Sequence, residues 1–304
     1  MKKIQFKSYD GKELACFLWD DVKEPKGVIQ ILHGMTSHMM RYDELGKEFN
    51  RYGYIAFGDD HRPHGATAGM ENLGKAGINN FNENMLDEIA ITRMLKAKYN
   101  LPVQLFAHSY GSFLAQAYLE QEESLLDGVI LSGSAHMGGA KLAFGKVLTF
   151  LQRAVYRMDE PNLMLFNMTF VANNKPFLAD KVDNAWLNRD MEKVALYNSD
   201  PYCNFIMTHG FYYSMMRSLS KVYKKNAMLK IRKDLPIFII SGSLDPLGGR
   251  GKKVIKLYDA YKGLGLNVRM KLYEGARHEL TSDIEKDTVI KEMTEFFDSN
   301  IKSK

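Results

Sequence analysis

Short apolar runs alternate with amphipathic helical stretches along most of this chain, and that alternation limits its fold more than any other feature. Residues 28–32, 54–57, 103–107 and 128–131 are dominated by Val, Ile, Leu, Phe and Ala and are too short for helices. Runs of this kind suit strands buried on both faces of a parallel sheet. Between them, Tyr42, Leu45, Phe49 and Tyr52 recur at helical spacing. Leu86, Ile89, Ala90, Met94 and Ala97 make a second helical face, and Phe113, Leu114, Ala117 and Tyr118 open a third. Ahead of this series, 3–8 and 13–19 read as two strands joined at Asp10-Gly11, a hairpin signal. The rhythm stops after Leu131 and returns with a strand at 236–240, a helix through Val254, Tyr258 and Tyr261, a strand at 268–273 and a last helix through Val289, Met293, Phe296 and Phe297.

The pattern predicts an α/β protein with a mostly parallel central sheet flanked by helices. Residues 1–135 and 235–304 form the core. Residues 136–234 form a helical insertion, with stripes such as Phe144, Val147, Leu148, Leu151 and Val155 but no convincing buried strand. At 304 residues, 45% hydrophobic and 25% charged, the chain has the balance of a folded globule, which excludes general disorder. A net charge of +5 is too small to argue for nucleic acid. Cys16 and Cys203 lie far apart and outside any C-x-x-C pattern, so neither a disulfide framework nor a cysteine zinc site is expected. Gln5, Lys7, Ser8, Asp10 and Lys12 break any apolar leader after Met-Lys-Lys, and no apolar run approaches the ~18 residues that span a bilayer. The expectation is a soluble, cytoplasmic protein.

The sharpest local feature is Ala107-His108-Ser109-Tyr110-Gly111, between a strand ending at Ala107 and a helix starting near Tyr110. A tight strand-to-helix turn there would push the Ser109 hydroxyl out of the sheet as a nucleophile elbow. Small residues are needed two before and two after the serine, because strand and helix backbones come close. Gly111 meets this, and Ala107 stands where Gly is more usual. A neutral serine needs a base, and the base needs an orienting group. The strand at 236–240 runs on to Asp245-Pro246, and the strand at 268–273 leads to His278. Ser109, Asp245 and His278 thus follow the chain order expected of a triad on such a sheet. Asp283 is the rival acid and reads as a cap of the last helix. The oxyanion hole calls for two backbone N–H groups, from Tyr110 after the serine and from Met35 after the first parallel strand.

These segments resemble α/β-hydrolases of the monoacylglycerol lipase and lysophospholipase group, the serine aminopeptidase type. The family's H-G-x-x-x-H-x-x-R-Y segment appears as His33-Gly34-Met35-Thr36-Ser37-His38-Met39-Met40-Arg41-Tyr42, and its D-x-R-G-H-G segment as Asp60-His61-Arg62-Pro63-His64-Gly65. Trp186-Leu187-Asn188-Arg189-Asp190, Asn198-Ser199-Asp200-Pro201, Ser241-Gly242-Ser243-Leu244-Asp245-Pro246 and Gly275-Ala276-Arg277-His278-Glu279 are similar to bacterial members. The resemblance implies an α/β-hydrolase fold with a helical cap, the triad Ser109, Asp245 and His278, an oxyanion hole at Met35 and Tyr110, and neither metal nor organic cofactor. Thr36-Ser37 stand where many members have Gly-Glu, and Pro63 and Ala107 stand where they have Gly. None of these changes removes a catalytic group, but those at Thr36-Ser37 and Pro63 leave the mouth of the site undefined.

The implied activity is hydrolysis of a single-chain lipid ester, a monoacylglycerol or a lysophospholipid, through an acyl-enzyme. A short-chain carboxylesterase, an aminopeptidase or an acyltransferase would use the same triad, and a non-catalytic binding protein could share the fold. The insertion holds nine of the 18 methionines, and Met35, Met39 and Met40 are expected to face it. Thioethers adapt to acyl chains, although a helical subdomain also needs a core of its own. The insertion carries 15 Lys and Arg against 8 Asp and Glu, leaving the remainder at −2. Such a basic insertion suits transient contact with an anionic membrane surface, or simply makes a solvated face. Among the histidines, His33 and His108 are expected to brace loops by hydrogen bonds. His38, His61 and His64 read as polar-loop residues, and His209 either lines the pocket or is structural.

Overall fold

The computed structural model describes residues 1–301. One sheet of eight strands runs through the molecule: β1 (Lys2–Lys7), β2 (Glu13–Trp19), β3 (Gly27–Leu32), β4 (Tyr54–Asp59), β5 (Val103–His108), β6 (Gly128–Ser132), β7 (Ile237–Gly242) and β8 (Val268–Tyr273). Their order is β1-β2-β4-β3-β5-β6-β7-β8. β1 and β2 pair antiparallel, as does β2 with β4, and all later neighbours pair parallel. β3 through β7 are buried along their length, as expected of apolar runs covered on both faces. Edge strand β8 carries partly exposed Arg269 and Lys271, charges that discourage pairing with another chain.

The helices are α1 (Asp43–Arg51), α2 (Gly65–Ala68), α3 (Asn80–Tyr99), α4 (Tyr110–Glu122), α5 (Ala140–Gln152), α6 (Leu163–Thr169), α7 (Met191–Ser199), α8 (His209–Val222), α9 (Lys225–Met228), α10 (Lys252–Gly263) and α11 (Lys286–Ser299). On one face of the sheet, α1 and α11 bury Leu45, Phe49, Met293 and Phe297 against Ile29, Ile31, Phe106 and Ile130. On the other, α3, α4 and α10 pack with α8 over Val28, Leu105, Val129 and Ile239.

The segment between β6 and β7 holds α5 to α9 and adds no strand to the sheet. Its own cluster is aromatic: Phe166, Phe170, Phe177, Trp186 and Tyr197. The stripe of α5 turns the other way from what a buried helix would do. Leu142, Gly145, Thr149 and Gln152 face inward, while Phe144, Val147, Phe150 and Leu151 are each 58–61% exposed.

In space, β3 lies between β4 and β5, so the chain leaves β3 for one side of the sheet and later returns on the other. The carboxyl ends of β3 and β5 meet at this reversal, where open α/β sheets leave a crevice.

Candidate active site

At the end of β5 the backbone passes through Ser109 with φ +52° and enters α4. A left-handed residue that is not glycine costs about 1–2 kcal/mol, which the surrounding contacts must offset. The Ser109 N–H donates to Ser132 O at 2.9 Å and the Gly111 N–H to His33 O at 3.1 Å. A Cβ on Gly111 would stand 2.6 Å from Leu32 O and 2.8 Å from His33 O, so only glycine lets the turn come this close to β3.

The structure brings the three triad residues of the sequence reading together. His278 Nε2 lies 2.9 Å from Ser109 Oγ, and His278 Nδ1 lies 2.8 Å from Asp245 Oδ2. Asp245 Oδ1 accepts the Leu247 N–H at 2.9 Å, and Oδ2 also accepts from Ser241 Oγ at 3.3 Å. Burial alone would push the Asp245 carboxyl up, but the His278 imidazole beside it outweighs burial and holds it low. Among the described residues, the N–H groups of Met35 and Tyr110 meet no acceptor. Both are backbone groups on the two turns that flank Ser109.

Asp283 does not cap the last helix. It accepts from Arg189 Nε at 3.0 and 3.1 Å, from the Arg277 N–H and from the Ile284 N–H, and so fastens the 185–190 segment to the loop after β8. Arg277 adds a bond from Nη1 to Ala185 O at 2.7 Å, and the Glu279 N–H donates to Leu187 O at 2.8 Å. Trp186 consequently rests against the His278 ring, with centroids 4.7 Å apart.

Five side chains that the sequence reading left without a role also shape the site. Arg41 and Glu279 form a two-pronged ion pair at 2.8 Å. The Tyr197 hydroxyl donates to Thr36 O at 3.1 Å and pins the loop after β3. With Trp186 and Phe170 they line the chamber over Ser109, whose free volume is ≈ 20 Å³. The pair's partners lie 238 residues apart, so no local pattern announces it. An outer cavity of ≈ 680 Å³, with Tyr42, Lys193, Leu196 and Tyr202 on its walls, shares Arg41, His108 and Glu279 with the chamber.

Several histidines depart from expectation. His61 and His64 are buried rather than loop-exposed, because Glu88 of α3 and Phe205 and Phe211 of the insertion cover the loop after β4. His38 is also buried and donates from Nε2 to Asp200 at 2.8 Å. His33 braces its loop as expected, from Nδ1 to Gly34 O at 2.8 Å. His108 instead packs on the His278 ring at 4.7 Å, and burial, with His278 close by, lowers its pKa to about 3. His209 stacks on Tyr156 and bonds Asn162, outside the chamber. The methionines are corrected too. Met39 is sealed beneath the sheet against Gly58, and Met207, Met215, Met216 and Met228 fill the seam between insertion and core. Of all the methionines, Met35 alone lines the chamber among the described residues.

Residues 23–285 match the model of the family described as serine aminopeptidase. A monoglyceride lipase homolog of Monkeypox virus is 25% identical over 298 residues, which span 96% of this chain and 97% of the viral one. A monoacylglycerol lipase of Mycolicibacterium smegmatis is 24% identical over 305 residues, spanning 97% of this chain and 96% of its own. A thermostable carboxyl esterase from Bacillus coagulans, solved in complex with glycerol, superposes with a TM-score of 0.89 at 25% identity, covering 99% of both chains.

Proposed function

This chain belongs to the serine aminopeptidase family of α/β-hydrolases, and on that premise we propose that it hydrolyses single-chain lipid esters such as monoacylglycerols or lysophospholipids. The observation that carries this reading is the unbroken line Asp245–His278–Ser109, at 2.8 and 2.9 Å, beneath a chamber walled by Phe170, Trp186, Leu187 and Tyr197. Ser109 Oγ attacks the ester carbonyl while His278 Nε2 takes its proton. Asp245 keeps the other ring nitrogen protonated and balances the imidazolium. The oxyanion accepts hydrogen bonds from the Met35 and Tyr110 N–H groups. The alcohol leaves with the proton from His278, and water repeats the sequence on the acyl-enzyme.

An apolar wall suits an acyl chain. Glu279 is the sole carboxylate lining the chamber among the described residues, and Arg41 already occupies it. A substrate ammonium would find no free partner, which favours esters over N-terminal peptide bonds. About 20 Å³ admits roughly one water and no ester. Residues 136–234 therefore act as a lid that opens. The 185–190 part is tied to the loop after β8, so Phe170 and α6 are the wall that gives.

The outward face of α5 and α6, with Phe144, Val147, Phe150, Leu163, Met164 and Met168, is flanked by exposed Lys141, Lys146, Arg153 and Arg157. Apolar side chains ringed by cations suit transient docking on an anionic bilayer. Among the described residues no helix is long and apolar enough to cross a membrane. Cys16 and Cys203 are buried free thiols, which supports a reducing, cytoplasmic setting.

The test is Ser109→Ala assayed over p-nitrophenyl esters from acetate to palmitate. We expect kcat to fall by ~10⁴–10⁶ and the wild type to prefer octanoate or longer. A variant with near-normal turnover removes Ser109 as nucleophile, and a preference for acetate removes the lipid substrate.

A further inference from the structure

Behind the loop that carries the Met35 N–H, three ionisable side chains are shut away from water. Asp59 at the end of β4, His61 two residues later and Glu88 of α3 are each 1% exposed. His61 Nδ1 lies 3.1 Å from Glu88 Oε1 and 3.5 Å from Asp59 Oδ2. On the far side of the ring, Nε2 lies 3.2 Å from the carbonyl oxygen of His33. Nε2 therefore donates to the His33 carbonyl, while Nδ1 stands at ion-pair distance from both carboxylates. Neither Asp59 oxygen, nor His61 Nδ1, nor Glu88 Oε1 has a hydrogen-bond partner among the described residues, so these groups meet as close ionisable neighbours rather than as a hydrogen-bonded chain. Burial works against a charged ring, but Asp59 and then Glu88 outweigh it and raise the His61 pKa to about 10. Glu88 goes the other way: burial, with Asp59 beside it, raises its carboxyl well above the usual range. Gln30 Nε2 donates to Glu88 Oε2 at 2.6 Å and fixes the acid in place. The other groups around the ring are the His33, His64 and Tyr110 rings at 4.0, 6.0 and 6.1 Å. Burial, reinforced by His61, keeps His33 and His64 neutral.

The His33 carbonyl is where this cluster reaches the reaction. The same oxygen accepts the Gly111 N–H at 3.1 Å, one residue beyond Tyr110. Two residues along the chain from His33 stands Met35. One carbonyl therefore joins the turn bearing one oxyanion donor to the helix bearing the other. We propose that His61, held between Asp59 and Glu88, is a positioning residue for ester hydrolysis: it clamps the His33 carbonyl and keeps the Met35 and Tyr110 N–H groups aimed at the same oxyanion. The proposal rests on the oxyanion reading above and adds the residue that sets its geometry.

The experiment compares wild type, His61→Leu and His61→Gln on p-nitrophenyl butyrate. It also measures inhibition by phenylboronic acid, whose adduct on Ser109 is anionic and tetrahedral, and by 1-hexanol, which is neutral. Misaimed donors cost turnover rather than ground-state binding. His61→Leu is expected to lower kcat by ~10² with KM within about threefold. Boronate affinity should weaken in step, and hexanol affinity should hold. His61→Gln keeps an N–H near the Nε2 position and should recover about tenfold of that loss. A merely structural role would move both inhibitors together. Either folded variant with kcat within about twofold of wild type overturns the proposal, as does an equal loss of boronate and hexanol affinity. Should His61→Leu fail to fold, His61→Gln is judged alone by the same criteria. Stoichiometric divalent metal in the purified protein also overturns it, because a metal on Nδ1 would replace the proton invoked here. Wild type that hydrolyses no ester removes the function itself, whereas active wild type with an indifferent His61 removes this inference alone.

Discussion

Helices α11 and α5 both carry apolar stripes, and they point them in opposite directions. α11 buries Val289, Ile290, Met293, Phe296 and Phe297 under the sheet. α5 buries Gly145, Thr149 and Gln152 and shows Phe144, Val147, Phe150 and Leu151 to solvent. The first arrangement lowers the free energy of the folded chain by removing apolar area from water. The second gives up that gain, so its apolar residues are suited to a contact made outside the molecule. One region supplies a rigid platform for Ser109, Asp245 and His278, and the other supplies a surface.

Three substitutions would break or sharpen this contrast. Phe297→Ala should cost about 3–5 kcal/mol in denaturant unfolding, because its ring is fully buried against Phe49 and Tyr54. A loss under about 1 kcal/mol would mean that the platform is not packed as described. Phe150→Ser should change stability by no more than about 0.5 kcal/mol yet weaken sedimentation with phosphatidylglycerol vesicles severalfold. Unchanged vesicle binding would leave the α5 face without its occupant. The smallest effect belongs to the seam between the regions. Glu120 of α4 borders a cavity of ≈ 280 Å³ together with Ser214, Arg217 and Lys221 of α8. Burial raises its carboxyl to about 8, with Lys230 opposing. Between the unfolded value near ~4.3 and that raised value, the folded state holds a proton that the unfolded state lacks. Stability from this group is therefore present at low pH and lost as pH rises toward 8. Glu120→Gln should remove that loss, raising Tm at pH 8.5 relative to pH 5.5; an unaltered pH slope would place the carboxyl in water.

The sheet and the meeting of Ser109, Asp245 and His278 were legible in the sequence for a shared reason. Buried parallel strands are short apolar runs, and each of Ser109, Asp245 and His278 follows the end of one in the required order. The direction of the α5 stripe was not legible, because helical period tells which residues share a face and not what that face meets. His61 and His64 looked like loop residues, since polar side chains near Pro63 and Gly65 resemble a solvated turn. Their burial depends on Glu88 and on the insertion, both distant in sequence. Asp283 looked like a cap for an equally local reason, while its partner Arg189 lies 94 residues away. Methionine count suggested an acyl pocket, but Met207, Met215, Met216 and Met228 were needed to seal the seam.

The chamber of ≈ 20 Å³ over Ser109 also has an arithmetic consequence. If substrate enters only the open fraction of molecules, the apparent dissociation constant is the intrinsic one divided by that fraction, so one open molecule in about a hundred raises it about a hundredfold. A surface that favours the open form returns that factor without touching a catalytic group. The ratio of KM for a dissolved ester to KM for the same ester on vesicles then becomes a gauge of how rarely the protein opens when it is alone in water.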